Sequence, residues 1–166
     1  MTSTRTIAVE ISDGKIFQVP VKVLSMSDTL KSLLDSLSLD ELANNEAFQV
    51  PNVDGETMKK VLEWCEKHCD DPELTEEERR MDKRDRPIGE WDKEYLEEMG
   101  EDMLYNVYLS SDHLKIVGLS NLCAQFIASL IEGKTTAEIG QIYGIECDLT
   151  PEEQEQIRME NAWWED

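Results

Sequence analysis

An Asp-Gly pair near the start of the chain is the feature that most constrains its fold. Apolar residues alternate on both sides of Asp13-Gly14, at Ile7, Val9 and Ile11 before it and at Phe17, Val19 and Val21 after it. Alternation with a period of two is typical of strands, and Asp-Gly between two such stretches is a strong signal for a tight hairpin turn. The first 21 residues therefore predict a β-hairpin, and the helices that follow need to cover that sheet.

Two helices and one more strand are predicted next. Ser25 or Ser27 can cap a helix that carries Leu30, Leu33, Leu34 and Leu37, and the stretch AFQVP predicts a short third strand closed by Pro51. Asp54 can cap a second helix that ends near Cys69, with its apolar residues at Met58, Val61, Leu62 and Cys65. The order β-β-α-β predicts a mixed α/β fold, in which the helices and the small sheet are segregated as in the α+β class.

The segment 70–90 differs in composition from the rest of the chain. It is dense in charge and nearly free of apolar residues, so burial cannot repay the entropy of ordering it. We predict a flexible acidic insertion. A short helix capped by Asp92 should follow, and then a helix from Gly100 through Leu114. The clearest helix has a core-facing stripe, formed by Leu119, Leu122, Cys123, Phe126, Ile127, Leu130 and Ile131, and ends at Gly133.

The last part of the chain predicts an arm that needs a partner. Two capping boxes, Thr135 with Glu138 and Thr150 with Glu153, indicate two further helices. Neither helix carries enough apolar residues to bury a core, and short helices need tertiary packing to persist. The chain then ends in AWWED, which places two indoles at a terminus, where order is hardest to hold. We therefore expect the two indole rings to be buried against a partner.

Charge and cysteine usage limit the possible partners and compartments. The chain has 37 acidic and 16 basic residues, a net charge of −21, so phosphate backbones and anionic membranes should repel it. We therefore expect no nucleic-acid partner and no membrane partner. The four cysteines lie in or near apolar helical patterns and no secretory leader is recognisable, which predicts reduced thiols and a cytoplasmic and nuclear protein.

No cofactor, metal site or catalytic group is predicted. Cys65, His68 and Cys69 lie within five residues, but structural zinc takes four ligands from two spaced pairs, and no second pair is present in the sequence. Cysteines four residues apart on one helix are more simply apolar residues of a buried face. The sequence also lacks a nucleophile elbow and a glycine-rich phosphate loop. The sequence therefore favours a protein that is not an enzyme.

Six stretches, in order along nearly the whole chain, carry a family resemblance. They are SDGKIFQV, VPNVDGETMKKVLEWCEKHCDDP, WDKEYL, HLKIVGL, GKTTAEI and DLTPEEQEQIRMENAW. The chain resembles the S-phase kinase-associated protein one family, the adaptors of SCF ubiquitin ligases. The resemblance implies a BTB/POZ fold over residues 1–132, with the insertion at 70–90, and a C-terminal two-helix extension over 133–166. It implies a non-catalytic adaptor that links a cullin to F-box proteins for ubiquitin-dependent degradation.

The resemblance also implies which residues meet each partner. Those expected to bind an F-box are Leu104, Tyr105, Ile127, Ile139, Tyr143, Ile145, Asn161, Trp163 and Trp164, although Leu104 and Ile127 have the alternative of closing the protein's own core. Asp112 and His113 stand where the family has Asn-Tyr on its cullin-facing side, which predicts weaker cullin binding. A second interpretation is a structural or self-assembling scaffold without a cullin, forming a homodimer through the F-box-binding surface.

Overall fold

The structure is a computed structural model that describes residues 5–36, 47–72, 86–146 and 148–162. It divides into two compact units, Met1–Ala128 and Ser129–Asp166. Most of the charged segment, residues 73–85, lies outside the described residues, as do Leu37, Trp163 and Trp164. The predicted flexibility of that insertion and the predicted domain boundaries therefore stay predictions.

A three-stranded sheet forms the start of the first unit. Strands β1 (Thr6–Ile11) and β2 (Ile16–Pro20) form the predicted antiparallel hairpin, with Gly14 at its turn in the left-handed region at φ 77°. Strand β3 (Phe48–Val50) pairs parallel to β1, which gives the order β2-β1-β3. The hairpin prediction is confirmed, but the second alternation ends earlier than expected, because the chain turns into a helix immediately after Pro20.

The described residues between the hairpin and β3 contain two helices where one was predicted. Helix α1 (Val21–Leu24) is a single turn, and α2 (Asp28–Ser36) is the expected helix. Of the two predicted caps, Ser27 is the one used, since its Oγ accepts a hydrogen bond from the Leu30 amide at 3.1 Å. Ser25 instead donates to the Val21 carbonyl at 2.8 Å. Leu30 is the buried leucine of α2, and Leu33 is exposed.

Helix α3 (Gly55–His68) begins at Asp54, as predicted. The Asp54 carboxylate accepts hydrogen bonds from the Glu56 and Thr57 amides, each at 3.0 Å, and from the Thr57 hydroxyl at 2.7 Å. Of the predicted apolar positions the helix buries Met58, Val61 and Cys65, together with Trp64, while Leu62 is half-buried. The hairpin is tied to the start of α3 because the Ser12 hydroxyl donates to the Val53 carbonyl at 2.6 Å.

Three further helices follow in the described residues: α4 (Glu90–Glu98) and α5 (Glu101–His113) belong to the first unit, and α6 (Val117–Ile131) runs from the first unit into the second. The predicted cap of α4 is wrong. The helix begins at Glu90 after Gly89, and Asp92 accepts a hydrogen bond from the Trp64 indole at 3.0 Å. The stripe of α6 is only partly core, because Leu119 and Cys123 are buried while the later members, including Phe126, are half-buried.

The second unit contains α7 (Thr136–Ile142) and α8 (Pro151–Asn161). Both predicted capping boxes are confirmed. The Thr135 hydroxyl accepts from the Glu138 amide at 3.3 Å, and the Thr150 hydroxyl accepts from the Glu153 amide at 3.3 Å. Each glutamate in turn accepts a hydrogen bond from the amide of its threonine. The local sequence therefore specifies where both helices start without tertiary packing.

Replacing Asp54 with alanine should lower the free energy of unfolding by about 1 kcal/mol, because the start of α3 loses the acceptor for two backbone amides. Hydrogen bonds from Thr57 lower the pKa of Asp54. The stabilisation is therefore present above the ordinary aspartate range and disappears as the pH falls through the lowered pKa.

Thermal unfolding of the parent chain and of Asp54→Ala at pH 7 measures the loss of stability, and the same comparison at pH 3 measures how far that loss shrinks at acidic pH. Asp102→Ala is the matched control, because Asp102 is an exposed acid in the first turn of α5, whose N-cap is Gly100. A loss at Asp102 as large as that at Asp54 would refute the capping explanation.

Candidate partner-binding surfaces

The turn between α5 and α6 carries the residues predicted to face a cullin. The Ile116 amide donates to the Ser111 carbonyl at 2.8 Å, and the Lys115 amide donates to the Asp112 carbonyl at 3.2 Å. Lys115 has a positive φ of 54°. This pattern is a Schellman motif, in which glycine usually occupies the left-handed position. Buried Leu114 and Ile116 anchor the turn, so Asp112 and His113 are held at the surface.

Helix α2 fixes the same turn from the other side. The Asp28 amide donates to the Lys115 carbonyl at 3.4 Å, and the Thr29 hydroxyl donates to the His113 carbonyl at 3.4 Å. The buried Ser27 hydroxyl donates to the Leu114 carbonyl. Three consecutive carbonyls at the end of α5 are thus satisfied by α2, and the turn is a rigid platform.

Two exposed apolar residues flank His113, and sequence analysis missed both. Leu109 lies one helical turn before His113 on α5 and is 63% exposed, and Val117 opens α6 and is 52% exposed. Sequence patterns assign an apolar residue in a helix to the core by default. The one signal that Leu109 is a surface residue is its position four residues before His113, on the same face of the helix. The Asp112 carboxylate pairs with Lys115 at 3.2 Å. This part of the surface therefore carries two exposed apolar side chains and an ion pair close to His113 in the sequence.

Three of the predicted F-box residues lie in the first unit. Leu104 is fully buried, so its side chain offers almost no surface, and the alternative that it closes the protein's own core is the one supported. Tyr105 and Ile127 are half-buried. Their predicted contact with an F-box stays a prediction.

In the second unit, a Schellman motif at the end of α7 presents Ile145 to solvent. The Ile145 amide donates to the Gly140 carbonyl at 2.8 Å, and the Gly144 amide donates to the Gln141 carbonyl at 3.4 Å. Gly144 has a φ of 61°, which glycine adopts without strain. Ile145 is 65% exposed, while Ile139 and Tyr143 are half-buried. Among the predicted F-box residues that the structure describes, Ile145 is therefore the most exposed large apolar side chain.

Helix α8 carries the last described site residue. Asn161 is exposed, and its side-chain amide donates to the Ile157 carbonyl of its own helix at 3.0 Å. Trp163 and Trp164 lie outside the described residues, so their predicted role is untested. Three further apolar side chains of this unit are exposed, although sequence analysis did not assign them to the site: Leu149, Ile157 and Met159.

The buried titratable groups of the first unit are poorly suited to nucleophilic chemistry. Burial raises the pKa of Cys65 to about 12 and that of Cys123 to about 12, so both thiols stay protonated near neutral pH. Burial also raises the pKa of Tyr95, whose hydroxyl donates to the Lys60 carbonyl at 2.6 Å. These groups contribute to packing and hydrogen bonding in the core.

The described parts of the chain contain neither a candidate metal site nor a candidate membrane-spanning helix. Residues 5–36, 47–72, 86–146 and 148–162 contain no group of three or more His, Cys, Asp or Glu side chains placed to hold a metal ion. Among the helices of those residues, none has the length and apolar character needed to cross a membrane.

Comparisons with known proteins agree on one family. Residues 5–70 match a model described as Skp1 family, tetramerisation domain, and residues 117–164 match one described as Skp1 family, dimerisation domain. The chain is 42% identical over 164 residues to the Skp1-related protein of Caenorhabditis elegans, covering 98% of this chain and 93% of the relative. It is 36% and 35% identical, each over 160 residues, to the E3 ubiquitin ligase complex SCF subunit sconC of Talaromyces stipitatus and of Talaromyces marneffei. Those two matches cover 96% of this chain and 97% of each relative.

Proposed function

The chain belongs to the Skp1 family, and from that membership we propose that it is the non-catalytic adaptor subunit of an SCF-type ubiquitin ligase. It joins a cullin to F-box substrate receptors for ubiquitin-dependent protein degradation. Two relatives are named as SCF subunits, and the mixed α/β architecture with a small sheet is that of the family's BTB/POZ module. In this proposal the chain acts in the cytoplasm and the nucleus.

One observation about the second unit carries the F-box half of the proposal. None of its described residues from 129 to 162 is buried, although four large apolar side chains are exposed there: Ile145, Leu149, Ile157 and Met159. An element with exposed apolar residues and no core gains free energy when a partner covers it. An apolar F-box segment has the chemistry to do so, and the energy comes from burial, not from charge.

The platform between α5 and α6 supports the cullin half. Interface centres are enriched in apolar and aromatic residues on a well-packed support. We infer that exposed Leu109 and Val117 form such a centre with His113, on a turn that the hydrogen bonds from α2 support. A cullin helix lying across this platform would cover both exposed apolar side chains.

A binding experiment with purified proteins tests the whole proposal. The full chain is immobilised and offered an F-box receptor alone, a cullin alone, and the two together. We expect each partner to bind separately and the receptor to be retained with the cullin in one ternary complex. Binding of the receptor without the cullin would favour the scaffold interpretation, and failure of both partners to bind would overturn the adaptor proposal.

His113→Tyr should strengthen cullin binding by up to about tenfold. The phenol ring adds apolar area beside Leu109 and Val117, and aromatic side chains at interface centres are frequent hot spots. The measurement is the cullin dissociation constant of the variant, made alone and together with Asp112→Asn.

F-box affinity is the control for His113→Tyr, since the substitution is distant in sequence from the second unit and should leave that affinity unchanged. If neither variant binds the cullin more tightly than the parent chain, residue 113 does not determine cullin affinity.

Self-assembly is the second candidate function. The matched models are described as dimerisation and tetramerisation domains, and the exposed apolar residues of the second unit could be covered by another copy of the chain. Sedimentation of the free chain across concentrations separates the two functions. A homodimer that dissociates when an F-box segment is added would mean that both partners use one surface.

A further inference from the structure

The indole of Trp64, on α3, lies against the first turn of α6. The residue is 6% exposed, so the ring is part of the core of the first unit. A β-carbon added to Gly118 would lie 2.8 Å from Cη2 of Trp64, 3.6 Å from Cζ2 and 3.7 Å from Cζ3. Two carbon atoms pack best at about 3.5–4.0 Å. The outer edge of the indole therefore occupies the space that a side chain at residue 118 would need.

Gly118 is a glycine for lack of space and not for backbone freedom. Apart from proline, glycine is the least favourable residue inside a helix. Gly118 does not have the positive φ that Gly14, Gly133 and Gly144 have. Close approach of the backbone to a neighbouring group is the other common reason for a glycine. The missing side chain lets the start of α6 pack directly on the ring of Trp64.

Two contacts keep the indole of Trp64 in its place. Its Nε1 donates a hydrogen bond to Oδ1 of Asp92 on α4, at 3.0 Å. The His68 ring stacks on it, with the ring centroids 4.4 Å apart and an angle of 27° between the planes. Because the indole is anchored in this way, added volume at residue 118 displaces the start of α6 more readily than it displaces the ring.

The start of α6 is also one side of the platform. Val117, immediately before Gly118, is one of its two exposed apolar side chains, and Leu119, immediately after, is fully buried. The other side of the platform is the end of α5, where α2 holds the carbonyls of His113 and Lys115. The two sides therefore rest on different elements, the end of α5 on α2 and the start of α6 on Trp64 of α3.

We propose that Trp64 and Gly118 are positioning residues for cullin binding. The indole sets the height of the first turn of α6, and with it the place of Val117 relative to His113. Their role rests on the proposed function, in which a cullin helix lies across the platform. Packing at the centre of an interface is as dense as in a protein interior, so a small displacement of Val117 loses contacts with that helix.

Gly118→Ala should weaken cullin binding by about fivefold to tenfold, since overpacking against an anchored ring displaces Val117. Affinity for an F-box receptor should stay unchanged, because the exposed apolar residues proposed to bind it lie in the second unit. Gly100→Ala is the matched control. It adds the same methyl group at the start of α5, where nothing lies within 4 Å of the new carbon, and it should not change cullin affinity.

Trp64→Phe tests the other side of the contact. The smaller ring removes the outer atoms that face residue 118, so the start of α6 loses its support and cullin binding should weaken. In the double variant Trp64→Phe/Gly118→Ala, the methyl group fills part of the vacated space. We expect the double variant to bind the cullin more tightly than either single variant does. Residues that only stabilised the fold would leave the affinity of each folded variant equal to that of the parent chain.

Methyl NMR of the free full chain detects the displacement without any partner. Gly118→Ala should shift the Val117 methyl signals, and Gly100→Ala should leave them in place. Unshifted Val117 signals in Gly118→Ala would overturn the positioning role, whether or not the chain binds a cullin.

The cullin titrations separate this role from the adaptor function. If the parent chain binds a cullin and Gly118→Ala binds it equally tightly, Trp64 does not position the platform, and the adaptor proposal stands. If the parent chain binds no cullin, the adaptor proposal fails and the positioning role fails with it. Should Gly118→Ala not fold, Trp64→Phe decides, and unchanged cullin affinity in that variant would overturn the role.

Discussion

Ile145→Asp is expected to weaken binding of an F-box receptor by about tenfold to a hundredfold while leaving the thermal midpoint of the free chain unchanged. Burying an isoleucine side chain contributes about 1.5–3 kcal/mol, and each 1.4 kcal/mol corresponds to a factor of ten in affinity. Ile145 is 65% exposed in the free chain, so the domain's own stability owes it little. Calorimetric titration of the full chain with the receptor measures the change.

The structure offers a matched control for this substitution. Ile16 is 59% exposed at the start of β2, in the other unit, so Ile16→Asp adds the same charge at a similarly exposed isoleucine. Ile145→Ala separates lost apolar area from added charge, and it should retain more affinity than the aspartate. Equal losses of F-box affinity for Ile16→Asp and Ile145→Asp would indicate a general effect of negative charge. The prediction that Ile145 contacts the F-box would then be wrong.

The elements that could be predicted are those specified by neighbouring residues. The hairpin follows from Asp13-Gly14 and its flanking alternation, and both helices of the second unit follow from their capping boxes. The start of α3 follows from Asp54. In the helix caps the defining hydrogen bonds join residues two or three positions apart, and in the hairpin the two strands are joined by a short turn, so the local sequence contains the needed information.

Features that were mispredicted, or not predicted at all, depend on contacts between distant residues. Asp92 has the position and chemistry of an N-cap, but the indole of Trp64, 28 residues earlier, uses its carboxylate instead. The α5–α6 turn places Lys115 at a left-handed position without a glycine to mark it, because contacts from α2 hold the turn. Tertiary interactions overrode local preference at both places.

The residues of the candidate sites, too, could be predicted only in part from the sequence. Exposure distinguishes a partner-binding residue from a core residue, and periodicity alone cannot, since both are apolar on one face of a helix. Leu104 and Leu109 lie on the same helix, yet one is fully buried and the other exposed. The family resemblance implies an F-box contact for buried Leu104, whereas exposed Leu109, on the proposed cullin-binding platform, was not predicted as a site residue.

Substitution of Trp163 removes the largest side chain among the predicted F-box residues. Trp163→Ala should weaken F-box binding by about tenfold to a hundredfold and should change the thermal midpoint of the free chain little. A tryptophan can bury about 150–250 Å², an upper bound of roughly 4–6 kcal/mol at about 25 cal/mol/Å². Incomplete burial and the loss of side-chain freedom on association reduce the net effect to that range.

Trp164→Ala is the matched control, because it removes an identical ring from the neighbouring position. We expect it to cost less affinity than Trp163→Ala, and truncation after Glu160 should reproduce the larger loss. Helix α8, up to Asn161, starts from its own capping box and buries none of its residues, so the truncated chain should keep its fold. If Trp163→Ala lowers the thermal midpoint strongly and leaves F-box affinity unchanged, the indole belongs to the chain's own core, and the C-terminal segment does not hold the partner.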